Sequence, residues 1–158
     1  MEWNVFQIRK AKVTDVHQIY ELLKDFAAKG LMLPRSLSEL YDVIRSVYVA
    51  CPESDPNNVA GICALHVCWS DLGEIRSMSV NQQYQGQDLG AKLLAACEKD
   101  ALELGLKRLF VLTYIPKYFA RFGFNEIDKS QLPHKIWADC LKCVNFPDCG
   151  EVAMEKAL

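Results

Sequence analysis

The sequence predicts an α/β protein built on one mixed, twisted β-sheet with helices on both faces. Three observations lead to this prediction. Short apolar segments alternate like strands, amphipathic segments with helical spacing lie among them, and a glycine-flanked turn joins one strand directly to a helix. With 158 residues, of which 51% are hydrophobic, the chain is long enough to close one core. We therefore expect a single domain over residues 1–158.

The chain begins with a predicted strand and an amphipathic helix. Val5–Arg9 alternates polar and apolar residues, as a half-buried strand does. From Val16 the apolar residues recur at helical spacing, and Gly30 is placed to end the helix. Asp15 and Gln18 are predicted to cap its first turn.

A second helix and three strands follow. Ser36–Glu39 has the form of a capping box, which predicts a helix reaching about Ser46. The apolar segments Val47–Cys51, Val59–Trp69 and Glu74–Val80 are separated by polar turn clusters, so each is predicted as a strand.

The remaining elements alternate between helix and strand. Apolar spacing predicts a helix from Asp88 to about Leu104, and the apolar run Arg108–Thr113 predicts the next strand. Proline at the first position and glycine just past the end indicate a short helix over Pro116–Gly123. Glu151–Lys156 is predicted as the last strand.

The segment Gln85–Gly90 carries the strongest functional signal. A helix N-terminus has backbone N–H groups without intrahelical partners and a partial positive charge, so it can bind an anion. Gly86 and Gly90 would let a phosphate approach the backbone, and Gln85 adds a neutral donor. The spacing differs from the dinucleotide fingerprint and from the G-x-x-x-x-G-K-[ST] loop. The alternative is an ordinary glycine-containing turn between a strand and a helix.

Composition argues against several classes of protein. The formal net charge is −2 and no basic stripe stands out, so we expect no nucleic-acid partner. No apolar run has the length of a membrane span, and the N-terminus lacks the apolar core of a signal peptide. Seven cysteines, an odd number, indicate a reducing compartment. We expect a cytoplasmic protein, either a monomer or a homodimer.

The Gln-x-x-Asp-x-Gly loop resembles the pyrophosphate loop of the GNAT acetyltransferase superfamily, whose pattern is [QR]-x-x-G-x-[GA]. The strand before this loop and the short helix that ends in Gly-Phe at residues 123–124 lie at matching distances. The resemblance extends over nearly the whole chain. It implies a GNAT fold, acetyl-CoA as co-substrate and N-acetyltransferase activity.

The same resemblance implies where acetyl-CoA binds. The acyl arm would lie in a gap between the strands ending at Val80 and Thr113, bonded to the backbone of the first of these strands. The pyrophosphate would lie on the loop. The implied cofactor-binding residues are Met78, Ser79, Val80, Gln85, Gly86, Gln87, Asp88, Leu89, Gly90, Ala91 and Phe119. Asp88 departs from the pattern, because glycine is usual at its position, but an acidic residue is favourable at a helix start.

Acetyl transfer to an amine needs a base and often an acid. Glu74 matches the glutamate that many GNAT enzymes use as the base; the alternative is an exposed strand-edge residue beside Arg76. In many relatives a tyrosine stands where this chain has Phe119, and it protonates the leaving thiolate. Tyr118 and Tyr114 are the nearby candidates for the acid. The alternative for both is packing with a hydrogen bond to the CoA sulfur.

A narrower resemblance points to the acceptor. The segments 30–40, 74–77, 112–116 and 132–137 are similar to those of short, stand-alone N-acetylglutamate synthases. That likeness implies L-glutamate as acceptor and a role in arginine biosynthesis. Arg35 and Arg76 are candidates for its two carboxylates, because guanidinium groups bind carboxylates with two parallel hydrogen bonds. Lys117 and Arg121 could instead hold CoA phosphates.

Two alternatives to this function stay open. One is acetylation of another small amine or of a protein amino group. The other is a non-catalytic acyl-CoA-binding module, which the departures at Asp88 and Phe119 would allow. One assay separates these functions from acetylation of glutamate. It measures CoA release from acetyl-CoA across a panel of amino acids and amines, and each function predicts release with different acceptors or with none.

A cysteine-rich segment lies near the C-terminus. His134, Cys140, Cys143 and Cys149 could form a closed Cys3His zinc site of structural rather than catalytic type. Reduced cysteines without a metal and a redox pair are the competing interpretations.

Overall fold

The computed structural model describes residues 5–32, 34–133 and 151–158. The strands are β1 (Phe6–Lys10), β2 (Val47–Pro52), β3 (Gly61–Val67), β4 (Leu72–Val80), β5 (Arg108–Thr113), β6 (Asn125–Ile127) and β7 (Val152–Ala157). The helices are α1 (Val16–Ala28), α2 (Leu37–Val43), α3 (Leu89–Leu104) and α4 (Pro116–Ala120). Within the described ranges, four single-turn 3₁₀ segments lie between these elements, at Val13–Asp15, Ile44–Ser46, Gln82–Tyr84 and Lys129–Gln131.

All seven strands belong to one mixed sheet with the order β1-β2-β3-β4-β5-β7-β6. Strands β1 to β4 pair antiparallel with their neighbours, and β5 pairs antiparallel with β7, which also pairs with β6. Only the pair β4–β5 is parallel among the described strands, and helix α3 makes the crossover that a parallel pair requires. The predicted mixed α/β sheet is confirmed.

Helices cover both faces of the sheet, and each face has its own apolar cluster. On one face, α1 and α2 pack with buried residues of β2 and β3, among them Ile19, Leu23, Leu40, Val49 and Ile62. On the other face, α3 and α4 pack with buried residues of the central strands, among them Leu93, Cys97, Phe119, Phe124 and Leu65. Each strand in the centre of the sheet therefore presents alternate residues to different helices.

Strand β6 was not predicted. It has three residues, which is too short to show the alternation of a strand, and it is defined by its pairing with β7. Strand β3 is also shorter than predicted, since it begins at Gly61, and the preceding Ala60 donates its N–H to the carbonyl of Ala50 at 2.8 Å.

The predicted capping pair of α1 is wrong. The Asp15 carboxylate instead accepts the Lys12 N–H and forms a buried ion pair with Arg9, whose Nη1 lies 2.7 Å from Oδ2. Burial alone would raise the pKa of Asp15, but the bonds from Arg9 and Lys12 outweigh it and lower that pKa. Gln18 binds the neighbouring loop, accepting the N–H of Val59. Asp15 therefore bonds to residues that precede it in the chain, and Gln18 bonds to a distant loop, so neither side chain caps α1.

Helix α3, with 16 residues, is the longest helix in the described part of the chain. No helix there has the length and the apolar character needed to cross a bilayer.

Candidate active site

A bulge in β4 lies at the centre of the site. Ala64 of β3 pairs with Arg76, but Ile62 pairs with Ser79, so β4 holds one extra residue between these two pairs. Ser77 adopts a positive φ of 57°, which is uncommon for a residue other than glycine. The bulge changes the alternation of the strand, so Met78 packs against the cluster beneath α3 while Ser79 reaches Met32 on the other face.

Strands β4 and β5 separate after Glu74, just before the bulge. Their parallel ladder joins Leu72–Glu74 to Arg108–Phe110 and ends there, although β4 continues to Val80 and β5 to Thr113. Strand β3 pairs with β4 along its other edge as far as Val80. One edge of the end of β4 therefore faces a gap in the sheet, where an extended arm could add as an extra strand.

The loop after β4 leads directly into α3. Gly86 has a φ of 85°, and Asp88 is the N-cap of α3 with a φ of 60°. The backbone conformation explains why glycine is usual at this position, and aspartate is among the few other residues that tolerate it. The Gln85 side-chain amide donates to the carbonyl of Val80 at 3.3 Å, which ties the loop to the end of the strand. The loop therefore turns directly into a helix N-terminus, as predicted, and its binding of an anion stays a prediction.

Gly90 and Tyr118 meet at the first turn of α3. A Cβ atom placed on Gly90 would lie 1.8 Å from the Tyr118 hydroxyl and 3.7 Å from the Met78 sulfur. Because Gly90 has no side chain, α4 can pack against α3 beside the end of β4. Burial raises the pKa of the Tyr118 phenol, although Arg121 acts in the opposite direction, so this hydroxyl carries its proton at neutral pH.

Phe119 occupies the position where the resemblance places a tyrosine. Its side chain is buried in the apolar cluster and makes edge-to-face contacts with Phe124 and Tyr118. Its contact with acetyl-CoA stays a prediction.

Tyr114, the other tyrosine candidate, follows the end of β5. Its hydroxyl hydrogen bonds to the Glu151 carboxylate, which belongs to the segment entering β7. Burial raises the pKa of Glu151, while Lys129 and the bond from Tyr114 act against that rise. The sequence predicted Glu151 only as a strand residue. Its bond to Tyr114 could not be predicted, because the two residues are far apart in the chain and no sequence pattern links them.

Glu74 lies in the interior of the sheet. It is paired in register with His66 of β3 and with Phe110 of β5, and it is 7% exposed. Its Oε1 accepts a hydrogen bond from Nε of Arg76. The contact with Arg76 is therefore present, but the alternative of an exposed strand-edge glutamate does not hold.

The two predicted substrate arginines line one cleft. Arg35 precedes α2 and Arg76 lies on β4, yet both face an opening of about 740 Å³, part of it open to solvent, between α1, α2 and the sheet. Arg35 Nη1 lies 3.4 Å from Oε2 of Glu39, one helical turn further along. Arg35 and Arg76 were predicted from the sequence separately, and the fold brings them to the same cleft.

Other polar residues of this cleft were not predicted. They are Glu39, Asp42, Ser46, His66 and Ser77. His66 lies in a segment that the sequence predicts as a strand, but its register with Glu74 depends on strand pairing. Glu39 had appeared only as part of a capping box, although it is four residues from Arg35 and could have been recognised as an i,i+4 partner.

A zinc site is not tested by the described residues. Among them, no group of three or more His, Cys, Asp or Glu side chains is arranged to hold a metal ion. The predicted ligands His134, Cys140, Cys143 and Cys149 lie outside the described residues. The cysteines that are described, Cys51, Cys63, Cys68 and Cys97, are reduced and buried.

Comparison with known proteins identifies relatives over most of the chain. The model of the acetyltransferase (GNAT) family matches residues 16–124. An uncharacterized N-acetyltransferase of Chlorobaculum tepidum is 34% identical over 151 residues, covering 96% of both chains. An amino-acid acetyltransferase of Mycobacterium tuberculosis is 35% identical over 130 residues, which cover 82% of this chain and 74% of the relative.

Solved structures with the same fold include proteins bound to coenzyme A. A Mycobacterium tuberculosis protein crystallised with CoA and NLQ superposes with a TM-score of 0.83 and 31% identity, covering 96% of this chain and 99% of that one. N-acetylglutamate synthase from Neisseria gonorrhoeae, complexed with coenzyme A and N-acetyl-glutamate, superposes with a TM-score of 0.88 and 26% identity. The match covers 99% of this chain and 36% of the Neisseria enzyme, so this chain corresponds to about a third of it.

Proposed function

The chain belongs to the acetyltransferase (GNAT) family, and from this membership we propose that it acetylates the α-amino group of an amino acid, L-glutamate, as a step of arginine biosynthesis. It is an acetyl-CoA-dependent N-acetyltransferase with acetyl-CoA as its co-substrate. One observation carries the proposal of a dicarboxylic acceptor. Two guanidinium groups, from Arg35 and Arg76, face one cleft beside the strand that holds Glu74.

The relatives support an amino-acid acceptor. One at 35% identity is named amino-acid acetyltransferase, and a structure with the same fold holds N-acetyl-glutamate. A dicarboxylic amino acid carries a carboxylate at each end, and guanidinium groups pair with carboxylates through two hydrogen bonds. In this proposal Arg76 binds the carboxylate next to the amine, and Arg35 binds the distal one.

The gap between β4 and β5 is proposed to hold the acetyl-pantetheine arm. The backbone of Met78, Ser79 and Val80 would bond to the arm along one edge, as in strand addition. An N–H group there would also polarise the thioester carbonyl as charge develops on its oxygen. The pyrophosphate would bind at Gln85–Ala91, where the first N–H groups of α3 begin the helix.

Glu74 and a tyrosine are proposed to move the protons. The Glu74 carboxylate takes one proton from the acceptor ammonium, and the resulting amine attacks the thioester carbon. The nitrogen–carbon bond forms and the carbon–sulfur bond breaks. The second proton on nitrogen is then lost to solvent while a tyrosine hydroxyl protonates the departing thiolate. The products are the N-acetyl amino acid and CoA with a free thiol.

Tyr118 is the proposed acid, because the hydroxyl of this half-buried side chain lies at the first turn of α3 close to Met78 of β4. Replacing Tyr118 by Phe is expected to lower kcat by about 10- to 100-fold, within the usual range for one proton-transfer group. Replacing Tyr114 by Phe removes a hydroxyl that hydrogen bonds to Glu151, and we expect a smaller loss. Turnover is measured by the release of CoA thiol. An unchanged kcat in both variants would eliminate a tyrosine acid.

The substrate assignment is tested by CoA release from acetyl-CoA across the common amino acids, simple amines and an unstructured peptide. We expect turnover with L-glutamate to exceed that with every other acceptor in kcat/KM. Turnover with another amine, or only with the peptide, would contradict glutamate as the acceptor. Binding of acetyl-CoA without any turnover would indicate a non-catalytic acyl-CoA-binding module.

A further inference from the structure

Both guanidinium groups of the cleft are already paired with carboxylates of this chain. Arg76 donates to Glu74, and the two side chains are 22% and 9% exposed. Arg35 lies 3.4 Å from Glu39, and these side chains are 40% and 54% exposed. An acceptor carboxylate that pairs with the Nε edge of Arg76, or with Nη1 of Arg35, therefore has to displace a carboxylate of the protein.

The two exchanges have different consequences. The pair at Arg35 is exposed, and pairs of this kind contribute little to stability, so an acceptor carboxylate can replace Glu39 with little change elsewhere. The pair at Arg76 is more buried. When Arg76 turns to another carboxylate, Glu74 loses a charged hydrogen-bond partner in a site with little water. A proton taken from the acceptor would then remove the charge of Glu74.

We propose that the acceptor's own α-carboxylate displaces Glu74 from Arg76. The Glu74 carboxylate, no longer bonded to Arg76, then deprotonates the acceptor. This inference rests on the proposed function, and it gives Arg76 a second role as the residue that selects α-amino acids. An amine without a neighbouring carboxylate leaves Arg76 on Glu74 and is not deprotonated there. The substrate class is therefore amines that carry a carboxylate on the carbon next to the nitrogen.

The spacing of the two residues fits such a substrate. Glu74 and Arg76 are two residues apart on one face of a strand, a separation of about 7 Å between their Cα atoms. In an α-amino acid the carboxylate and the ammonium are attached to the same carbon, so a ligand held by Arg76 presents its nitrogen to the adjacent Glu74. One proton passes from the ammonium to a Glu74 oxygen, which leaves a neutral amine and a neutral carboxylic acid. The nitrogen then has the lone pair that attacks the thioester.

The test compares L-glutamate with 4-aminobutyrate, which lacks the α-carboxylate and keeps the distal one. For the wild-type protein we expect kcat with 4-aminobutyrate to be at least about 100-fold lower, a loss of the size produced when a general base does not act. For Arg76→Ala we expect kcat/KM with glutamate to fall and kcat with 4-aminobutyrate to rise several-fold, because Glu74 no longer accepts the hydrogen bond from Arg76. Equal kcat values for the two acceptors in the wild-type protein would overturn the inference. So would an Arg76→Ala variant in which 4-aminobutyrate gains nothing.

Glu39→Gln is the matched control. Glutamine can keep both hydrogen bonds at this cap, in which Ser36 Oγ accepts the N–H of residue 39 and donates to its side-chain oxygen, while the competing charge at Arg35 is removed. We expect KM to fall about twofold for both acceptors, as for the loss of one exposed ion pair, with their ratio unchanged. A change of that ratio comparable to the one in Arg76→Ala would assign the effect to general charge in the cleft and contradict a specific exchange at Arg76.

A second measurement needs no variant. Formate added to the wild-type protein can occupy Arg76 in place of the missing α-carboxylate, so it is expected to stimulate turnover of 4-aminobutyrate. Inhibition or no effect over a range of formate concentrations would contradict the exchange. If the wild-type protein does not acetylate glutamate at all, the proposed function fails. The inference is then decided in the same way with the amino acid that is acetylated and its decarboxylated analogue.

Discussion

Replacing Glu74 by Gln is expected to lower kcat for acetyl transfer by about 100- to 10,000-fold, the range found when a positioned base is removed. Glutamine has nearly the same shape and can still accept a hydrogen bond from Arg76, so the buried position should remain filled. It cannot take the proton of the acceptor ammonium. The affinity for acetyl-CoA, measured by equilibrium binding, is expected to stay within about twofold, because the loss is confined to proton transfer.

The pH dependence separates a base from a structural residue. As the pH rises, more of the acceptor exists as the free amine and needs no base, so the deficit of Glu74→Gln should be largest at low pH and narrow at high pH. The matched control is Glu126→Gln, the same change at an exposed residue of β6, for which we expect wild-type rates. A wild-type rate for Glu74→Gln at every pH would remove Glu74 as the base.

Replacing Gly90 by Ala is expected to weaken acetyl-CoA binding by at least about tenfold, equivalent to about 1.4 kcal/mol. The new methyl group would lie 1.8 Å from the Tyr118 hydroxyl, a distance at which one group must move. Tyr118 packs edge-to-face against Phe119 and Phe122, so its displacement disturbs α4 as well as the first turn of α3. Both elements border the region where the phosphates and the acyl arm are proposed to bind.

A second substitution identifies the cause. Tyr118→Phe removes the atom that the methyl group meets, and the nearest ring carbon then lies 3.1 Å away, so a small adjustment suffices. The double variant should therefore recover most of the affinity lost in Gly90→Ala, a non-additive result typical of residues in direct contact. Leu102→Ala, at an exposed position of the same helix, controls for unrelated changes in α3. A double variant that binds no better than Gly90→Ala would show that the clash is not the cause.

Much of the fold could be predicted from the sequence because its signals are local. The apolar spacing of α1 and α3 and the glycines after α3 and α4 all act within a few residues. Strand β6 was missed because three residues carry no measurable period and are defined by pairing with β7. The predicted capping of α1 is wrong because the Asp15 side chain pairs with Arg9 and the Gln18 side chain accepts the N–H of Val59. Helix-capping patterns do not include these partners.

The sequence by itself determined the glycine-flanked turn into α3, the strand that holds Glu74 and Arg76, and the presence of two arginines of a type suited to carboxylates. Each of these depends on neighbours in the chain, and the left-handed backbone at Asp88 explains the single departure from the loop pattern. Only the tertiary structure decided that Arg35 and Arg76 face one cleft, that β4 and β5 separate, and that each arginine already holds a carboxylate. The physical reason is that the bulge at Ser77 and the packing of α2 on the sheet bring together side chains whose separation along the chain carries no periodic signal.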